Sequence, residues 1–237
     1  MRMKRRVVQG LIAAVVLAFS TGAACARDIN YDFNVFLMGG SSTLFDGKDF
    51  TSASYQYHAG YSQGYKVTVG LGVPLGSILG IETAYTTGPN NLQLTDTSVT
   101  PRQVRTYAVE MHSGNVNVIA RAPFSKYGFR PYATAGLEYN EYVPTSAGIA
   151  TALQLGFGAV STATLTTSSK IGVNFGFGVE RKLLRRVNLR LDVRDHMVGS
   201  PNFGLPPDDP SSAIFPVTGS AHNVEYSVGI VFHVSRK

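Results

Sequence analysis

From residue 31 onward, apolar side chains recur at every second position in eight separate segments, the period of a β-strand with one apolar face. Tyr31, Phe33, Val35 and Leu37 alternate with Asp32 and Asn34, and Tyr65, Val67, Val69, Leu71 and Val73 with Lys66, Thr68, Gly70 and Gly72. In a third segment, Leu79 to Thr87, Ile81 and Tyr85 share one face and Glu82, Ala84 and Thr86 the other. A fourth sets Tyr107, Val109 and Met111 against Ala108, Glu110 and His112. There the phase moves by one residue after Gly114, because Val116, Val118 and Ala120 are even-numbered. A β-bulge at Ser113-Gly114 is the expected device for keeping one apolar face. Ala133, Ala135, Leu137 and Tyr139 make the fifth segment, and Ile171, Val173, Phe175, Phe177 and Val179 the sixth, opposite Asn174, Gly176, Gly178 and Glu180. Leu189, Leu191 and Val193 alternate with Arg190, Asp192 and Arg194 in the seventh. The eighth sets Val224, Tyr226, Val228, Ile230, Phe232 and Val234 against Asn223, Glu225, Ser227, Gly229 and Val231.

Connections between these segments alternate in length. Segments 41–62, 88–103, 143–167 and 198–220 are long and rich in Ser, Thr, Gly, Pro and Asp, whereas 74–78, 122–129 and 182–186 are short. A soluble sandwich has no reason to gather its long loops at one end. A transmembrane barrel does: its strand number is even, its termini and short turns share one side, and its long loops face the outside. The pattern predicts an all-β protein, an eight-stranded antiparallel transmembrane β-barrel with four long extracellular loops and three short periplasmic turns.

The apolar face must then point outward. Eight strands enclose too narrow an interior for this many Tyr, Phe, Leu and Val side chains, while Gly, Asn, Thr and paired charges fit. Exposing the large side chains to water costs roughly 1.5–3 kcal/mol each; exposing them to lipid does not. Two aromatic girdles are expected without any Trp, with Tyr31, Tyr65, Phe129, Tyr132 and Phe232 on the periplasmic side and Tyr85, Tyr107, Tyr139 and Tyr142 on the outer side.

The first residues read differently. Arg2, Lys4, Arg5 and Arg6 precede an apolar run from Leu11 to Phe19, and Ala24-Cys25-Ala26 offers the small residues of a cleavage site, so residues 1–26 read as a cleaved signal peptide and 27–237 as the barrel. The run is too short for a spanning helix. Cleavage removes the only cysteine and four of the 21 basic residues, leaving 17 against 15 acidic ones. That near balance gives no reason to expect nucleic acid as a partner.

The last strand carries the nearest thing to a motif. Ser227, Gly229, Phe232 and Val234 follow the polar-x-Gly-x-x-hydrophobic-x-hydrophobic pattern of an assembly signal. With the eight alternating segments, this resembles the small outer-membrane barrels of the OmpA-type transmembrane domain and OmpX-like family, over essentially all of residues 27–237. The resemblance implies a Gram-negative cell outer membrane as location, outer-membrane lipid and lipopolysaccharide as surroundings, and the barrel assembly machinery as a partner during insertion. Family members commonly finish on an aromatic residue, whereas this chain finishes Val234-Ser235-Arg236-Lys237. No peptidoglycan-binding domain is expected beyond the barrel.

Candidate chemistry lies inside the wall and in the loops. The lumen is expected to hold Asp32, Lys66, Glu82, Glu110, Glu138, Glu180, Arg190, Asp192, Arg194 and Glu225, charges that must be paired or solvated. They read as a polar plug; the alternative is a narrow gated ion channel in which Arg190 or Arg194 switches between carboxylates. A lipid A-modifying enzyme ranks third. It needs a nucleophile and base on the lipid-facing side, but His112 and Ser113 are neighbours on a strand and point to opposite faces. His58 and His196 have no serine beside them. No catalytic residue, metal site or cofactor is predicted, since the histidines are dispersed. A structural or surface-interaction role is the leading expectation, with an extracellular ligand bound through the loops. Of these, 143–167 is rich in Ala, Thr, Ser and Gly, and 198–220 carries Pro201, Pro206, Pro207, Pro210 and Pro216 with Asp208-Asp209.

Overall fold

The computed structural model describes residues 32–45, 48–52, 55–97, 100–148, 166–201, 203 and 219–234. The signal-peptide reading at 1–26, Tyr31, the centre of the 143–167 loop and most of the proline-rich loop lie outside the described residues. Within them the chain forms β1 (Phe33–Phe45), β2 (Lys48–Ser52), β3 (Tyr55–Tyr61), β4 (Gly64–Pro74), β5 (Leu79–Pro89) and β6 (Leu92–Asp96). There follow β7 (Gln103–Tyr107), β8 (Val109–Arg121), β9 (Phe129–Pro144), β10 (Ser168–Leu184), β11 (Val187–Gly199) and β12 (Ser220–Val234).

Eight of these close into an antiparallel barrel in the order β1-β12-β11-β10-β9-β8-β5-β4, with β1 sealing the seam against β12 on one side and pairing β4 on the other. Full closure leaves no barrel edge with unpaired backbone groups, the condition for spanning hydrocarbon with strands. The turns 75–78, 122–128 and 185–186 lie at one end and the long connections at the other. Barrel strands run to 17 residues in β10, longer than the hydrocarbon crossing requires.

The remaining strands, β2, β3, β6 and β7, form a second, four-stranded sheet at the long-loop end, built from the first two long connections. Sequence alternation did not separate these strands from loop, because they are only five to seven residues long.

The expected bulge at Ser113-Gly114 is absent. Pairing of β5 with β8 is continuous from Leu79↔Ala120 to Pro89↔Glu110, and that of β8 with β9 from Val109↔Pro144 to Arg121↔Tyr132. The odd-numbered residues of β8 therefore all face inward, from Val109 and Met111 through Asn115 and Asn117 to Arg121. The apparent phase shift marks a change of lumen content along one strand, apolar at Val109 and Met111 near the mouth and mainly polar below it, at Ser113, Asn115, Asn117 and Arg121, with Ile119 the exception.

The outer wall carries the predicted stripe: Leu37, Val69, Ile81, Val116, Leu137, Phe177, Val228 and Ile230 are exposed. The girdles need correction. Tyr65 stands at the long-loop end, paired with Ser41, and Tyr107, Tyr132 and Tyr142 are buried in the interior rather than on the wall.

Candidate functional site: the barrel lumen and its mouth

Glycine on the inner face determines what fits inside. A Cβ at Gly70 would collide with the Phe36 ring, and one at Gly178 with the Tyr132 side chain. Their absence lets two aromatic rings lie across the lumen. Between those rings sits the Arg190 guanidinium, 4.9 Å from the Phe36 centroid and 5.1 Å from that of Tyr132. Arg190 is fully buried on β11, and Glu82, on β5, stands diametrically opposite in the strand order. The two meet through a bidentate pair, Nη1 to Oε2 at 2.9 Å and Nη2 to Oε1 at 2.7 Å. Arg190 also donates to Glu180 Oε1, from Nε at 3.1 Å and Nη2 at 2.5 Å. Arg121 closes the ring, donating to Glu82 at 3.0 Å and lying 3.6 Å from Glu180. Two guanidinium groups and two carboxylates balance in charge and brace the barrel across its full width near the short-turn end. Fork geometry of this kind suits arginine and not lysine.

Above this brace Tyr132 donates to Asp192 Oδ2 at 2.5 Å, and Arg194 to the same oxygen at 3.2 Å. Higher still, His196 Nδ1 lies 2.5 Å from Glu138 Oε2, and its Nε2 3.6 Å from Glu225 Oε2. Asn140 donates to Glu138 at 2.8 Å. Lys66 sits beneath the mouth and donates to the Pro89 carbonyl and Asn90 Oδ1, each at 3.2 Å. The mouth itself is filled by a buried apolar cluster including Leu44, Leu92, Tyr107, Val109, Met111, Tyr142 and Val198.

Of the charges predicted for the lumen, Lys66, Glu82, Glu138, Glu180, Arg190, Asp192, Arg194 and Glu225 are brought into this column. Glu110 is a correction: the unbroken register of β8 turns its side chain outward, 59% exposed, and it lies 3.9 Å from His112. Asp32 is exposed just ahead of β1. Sequence reasoning missed Arg121, His196, Phe36 and Tyr132. Arg121 and His196 were accessible to parity alone, the first continuing the odd positions of β8, the second the series Arg190, Asp192, Arg194.

His112 faces outward, with Tyr85 Oη at 2.8 Å and Thr87 Oγ1 at 3.1 Å from its Nδ1, while Ser113 is buried on the inner face. The wall thus separates the histidine from the adjacent serine. His58 lies on β3, outside the barrel. Among the described residues no group of three or more His, Cys, Asp or Glu is arranged to hold a metal ion.

In the last strand, Ser227 and Gly229 face the lumen and Phe232 and Val234 the outside. All four lie on the closing seam, opposite Gly40, Met38, Val35 and Phe33 of β1.

The outer membrane protein beta-barrel domain family matches this chain over residues 11–232. No curated protein matches it in sequence. Among solved structures, Neisserial surface protein A is 15% identical, with 84% of this chain and 96% of that one covered at a TM-score of 0.53. The outer membrane protein AlkL, determined by solid-state NMR in lipid bilayers, is 14% identical, with 89% and 95% covered at a TM-score of 0.52. At these identities the likeness extends to the fold. The closed eight-stranded wall, its apolar outer stripe and the family match together place the chain in the outer membrane protein beta-barrel domain family, and its barrel in the cell outer membrane.

Proposed function

We propose that the protein is a structural or surface-interacting component of the outer membrane, whose lumen is a closed plug and whose contacts are made by the extracellular sheet and loops. One observation carries this reading: the lumen is crossed at its periplasmic end by the Arg190–Glu82 bridge and filled at its extracellular end by apolar side chains, so ions meet a barrier at each level. The four-stranded sheet β2-β3-β6-β7 supports the second half, because it holds the first two extracellular connections in a defined form. Lipopolysaccharide surrounds this end in the proposed setting, and the seam strand β12 is what the barrel assembly machinery reads during insertion. No catalytic role is assigned.

Planar-bilayer recording tests the plug. The purified barrel is expected to add no conductance steps to the bare membrane. Steady single-channel steps whose size changes in Arg190→Ala would favour the gated ion path instead.

A further inference from the structure

The periplasmic end carries a charge pattern that neither the plug nor the loops explain. Lys126, Arg181, Lys182, Arg185 and Arg186 are exposed there, and Arg130 is half-buried. Asp32 and the lumen carboxylates Glu82 and Glu180 are the only acids near this end among the described residues. None of the six cations forms an ion pair with a described residue; those of the lumen involve Arg121, Arg190, Arg194 and histidines. Arg130 is structural, donating to the Ala122 carbonyl at 2.7 Å and to that of Ser77, which ties two turns together.

The other five ring the short-turn rim: Arg181 stands at the foot of the lipid-facing wall, Lys126, Arg185 and Arg186 lie on the turns, and Lys182 shares the parity of Glu180 at the edge of the lumen. Arg181 ends the outward column Ile171, Val173, Phe175, Phe177 and Val179 of β10, and its guanidinium lies 5.0 Å from the centroid of Phe129, its partner on β9. Lys126 Nζ lies 5.5 Å from the Tyr127 ring. Between these cations Phe124, Tyr127, Leu183 and Leu184 are exposed, Tyr127 by 84%. Immersed in water, four large apolar side chains would each cost roughly 1.5–3 kcal/mol; at the boundary of acyl chain and headgroup they cost little. The short turns therefore sit within the headgroup layer, and the cations meet whatever charge that layer carries.

We propose that this rim binds anionic phospholipid of the periplasmic leaflet, with Arg181, Lys182, Arg185, Arg186 and Lys126 contacting the phosphate and glycerol headgroups while Phe124, Tyr127, Leu183 and Leu184 pack on the acyl chains. The proposal rests on the membrane placement of the barrel and is independent of the closed lumen. Cations on long stems reach from apolar surface to the headgroups, and each one near an anionic surface is worth about fivefold in affinity. Soluble acidic partners, such as peptidoglycan stem peptides, match the charge but not the exposed aromatic and leucine side chains.

The full barrel, reconstituted in phosphatidylcholine vesicles with a minor fraction of spin-labelled lipid, provides the test. Motionally restricted phosphatidylglycerol is expected to exceed restricted phosphatidylcholine severalfold and to lose that excess at high salt. In the variant K126Q/R181Q/K182Q/R185Q/R186Q the excess is expected to vanish while the heat-modifiable folded band persists. The charge-preserving R181K/R185K/R186K is expected to retain it. Equal retention of both lipids by the wild type, or an excess unchanged in the glutamine variant, overturns the proposal, as does binding of soluble peptidoglycan fragments without any lipid preference. Failure of the wild type to fold in either vesicle would instead contradict the membrane placement.

Discussion

Arg190→Ala is expected to destabilise the folded barrel by about 3–5 kcal/mol, the usual consequence of removing one partner from a buried charge network. Arg190 is fully buried and supplies two hydrogen bonds to Glu82 and two to Glu180. Without it, two carboxylates share Arg121 alone, and the space between Phe36 and Tyr132 is left open. Urea titration of the barrel in vesicles, read by heat-modifiable gel migration, gives the midpoint. A second variant isolates the cause: R190M/E82Q removes one charge of each sign, keeps the Arg121–Glu180 pair and fills the volume, so most of the lost stability should return. Equal losses in the two variants would mean that the hydrogen-bonded fork of Arg190 itself, rather than charge balance or filled volume, holds the wall. An unchanged midpoint in R190A would mean that the brace does not hold the wall.

Leu137→Arg should cost about 2–4 kcal/mol, and nearer 0–1 kcal/mol when the same arginine replaces Glu141 four residues further along β9. Leu137 lies midway along a 16-residue strand and is 66% exposed on the outer wall, whereas Glu141 approaches the extracellular rim. In water an arginine at either place would be harmless, so the contrast reports the solvent outside the barrel. Equal, small effects at both positions would contradict a hydrocarbon environment. The same urea titration measures both.

Much of the barrel was readable because two strands state the rule without ambiguity. In β10 and β12 one parity is largely apolar and the other is mainly Gly, Asn, Ser, Glu or Lys, with Val231 the main exception, so face and orientation follow together. Alternation failed where the lumen stops being polar. Tyr107, Val109 and Met111 form part of an apolar seal at the mouth; Tyr107 ends β7, and on β8 Val109 and Met111 share a parity with Asn115, Asn117 and Arg121. A rule that equates apolar with outward must then invent a bulge, and Glu110 followed it to the wrong face. Phe36 and Met38 were hidden for a related reason, since both are large apolar side chains inside the wall. Phe36 fits because Gly70 is small, and that pairing across strands depends on register, which hydropathy does not contain. The charge column is legible as composition: parity marks seven of its members as inward acids and arginines, with Lys66 the eighth, but which ones touch depends on the circular strand order. Arg190 meets Glu82 across 108 residues of sequence only because β11 and β5 lie opposite in the closed barrel.

One face of each barrel strand meets lipid while the other faces a closed interior. Single cysteines carrying a nitroxide at Ala133, Thr134, Ala135, Leu137 and Glu138 of β9, with accessibility to oxygen measured in bilayers, test it most directly. Ala133, Ala135 and Leu137 face outward and Thr134 and Glu138 are buried. High oxygen accessibility is expected at 133, 135 and 137 and low accessibility at 134 and 138, with the water-soluble nickel reagent excluded from all five. A reversed alternation, or nickel reaching the inner positions, would contradict the account.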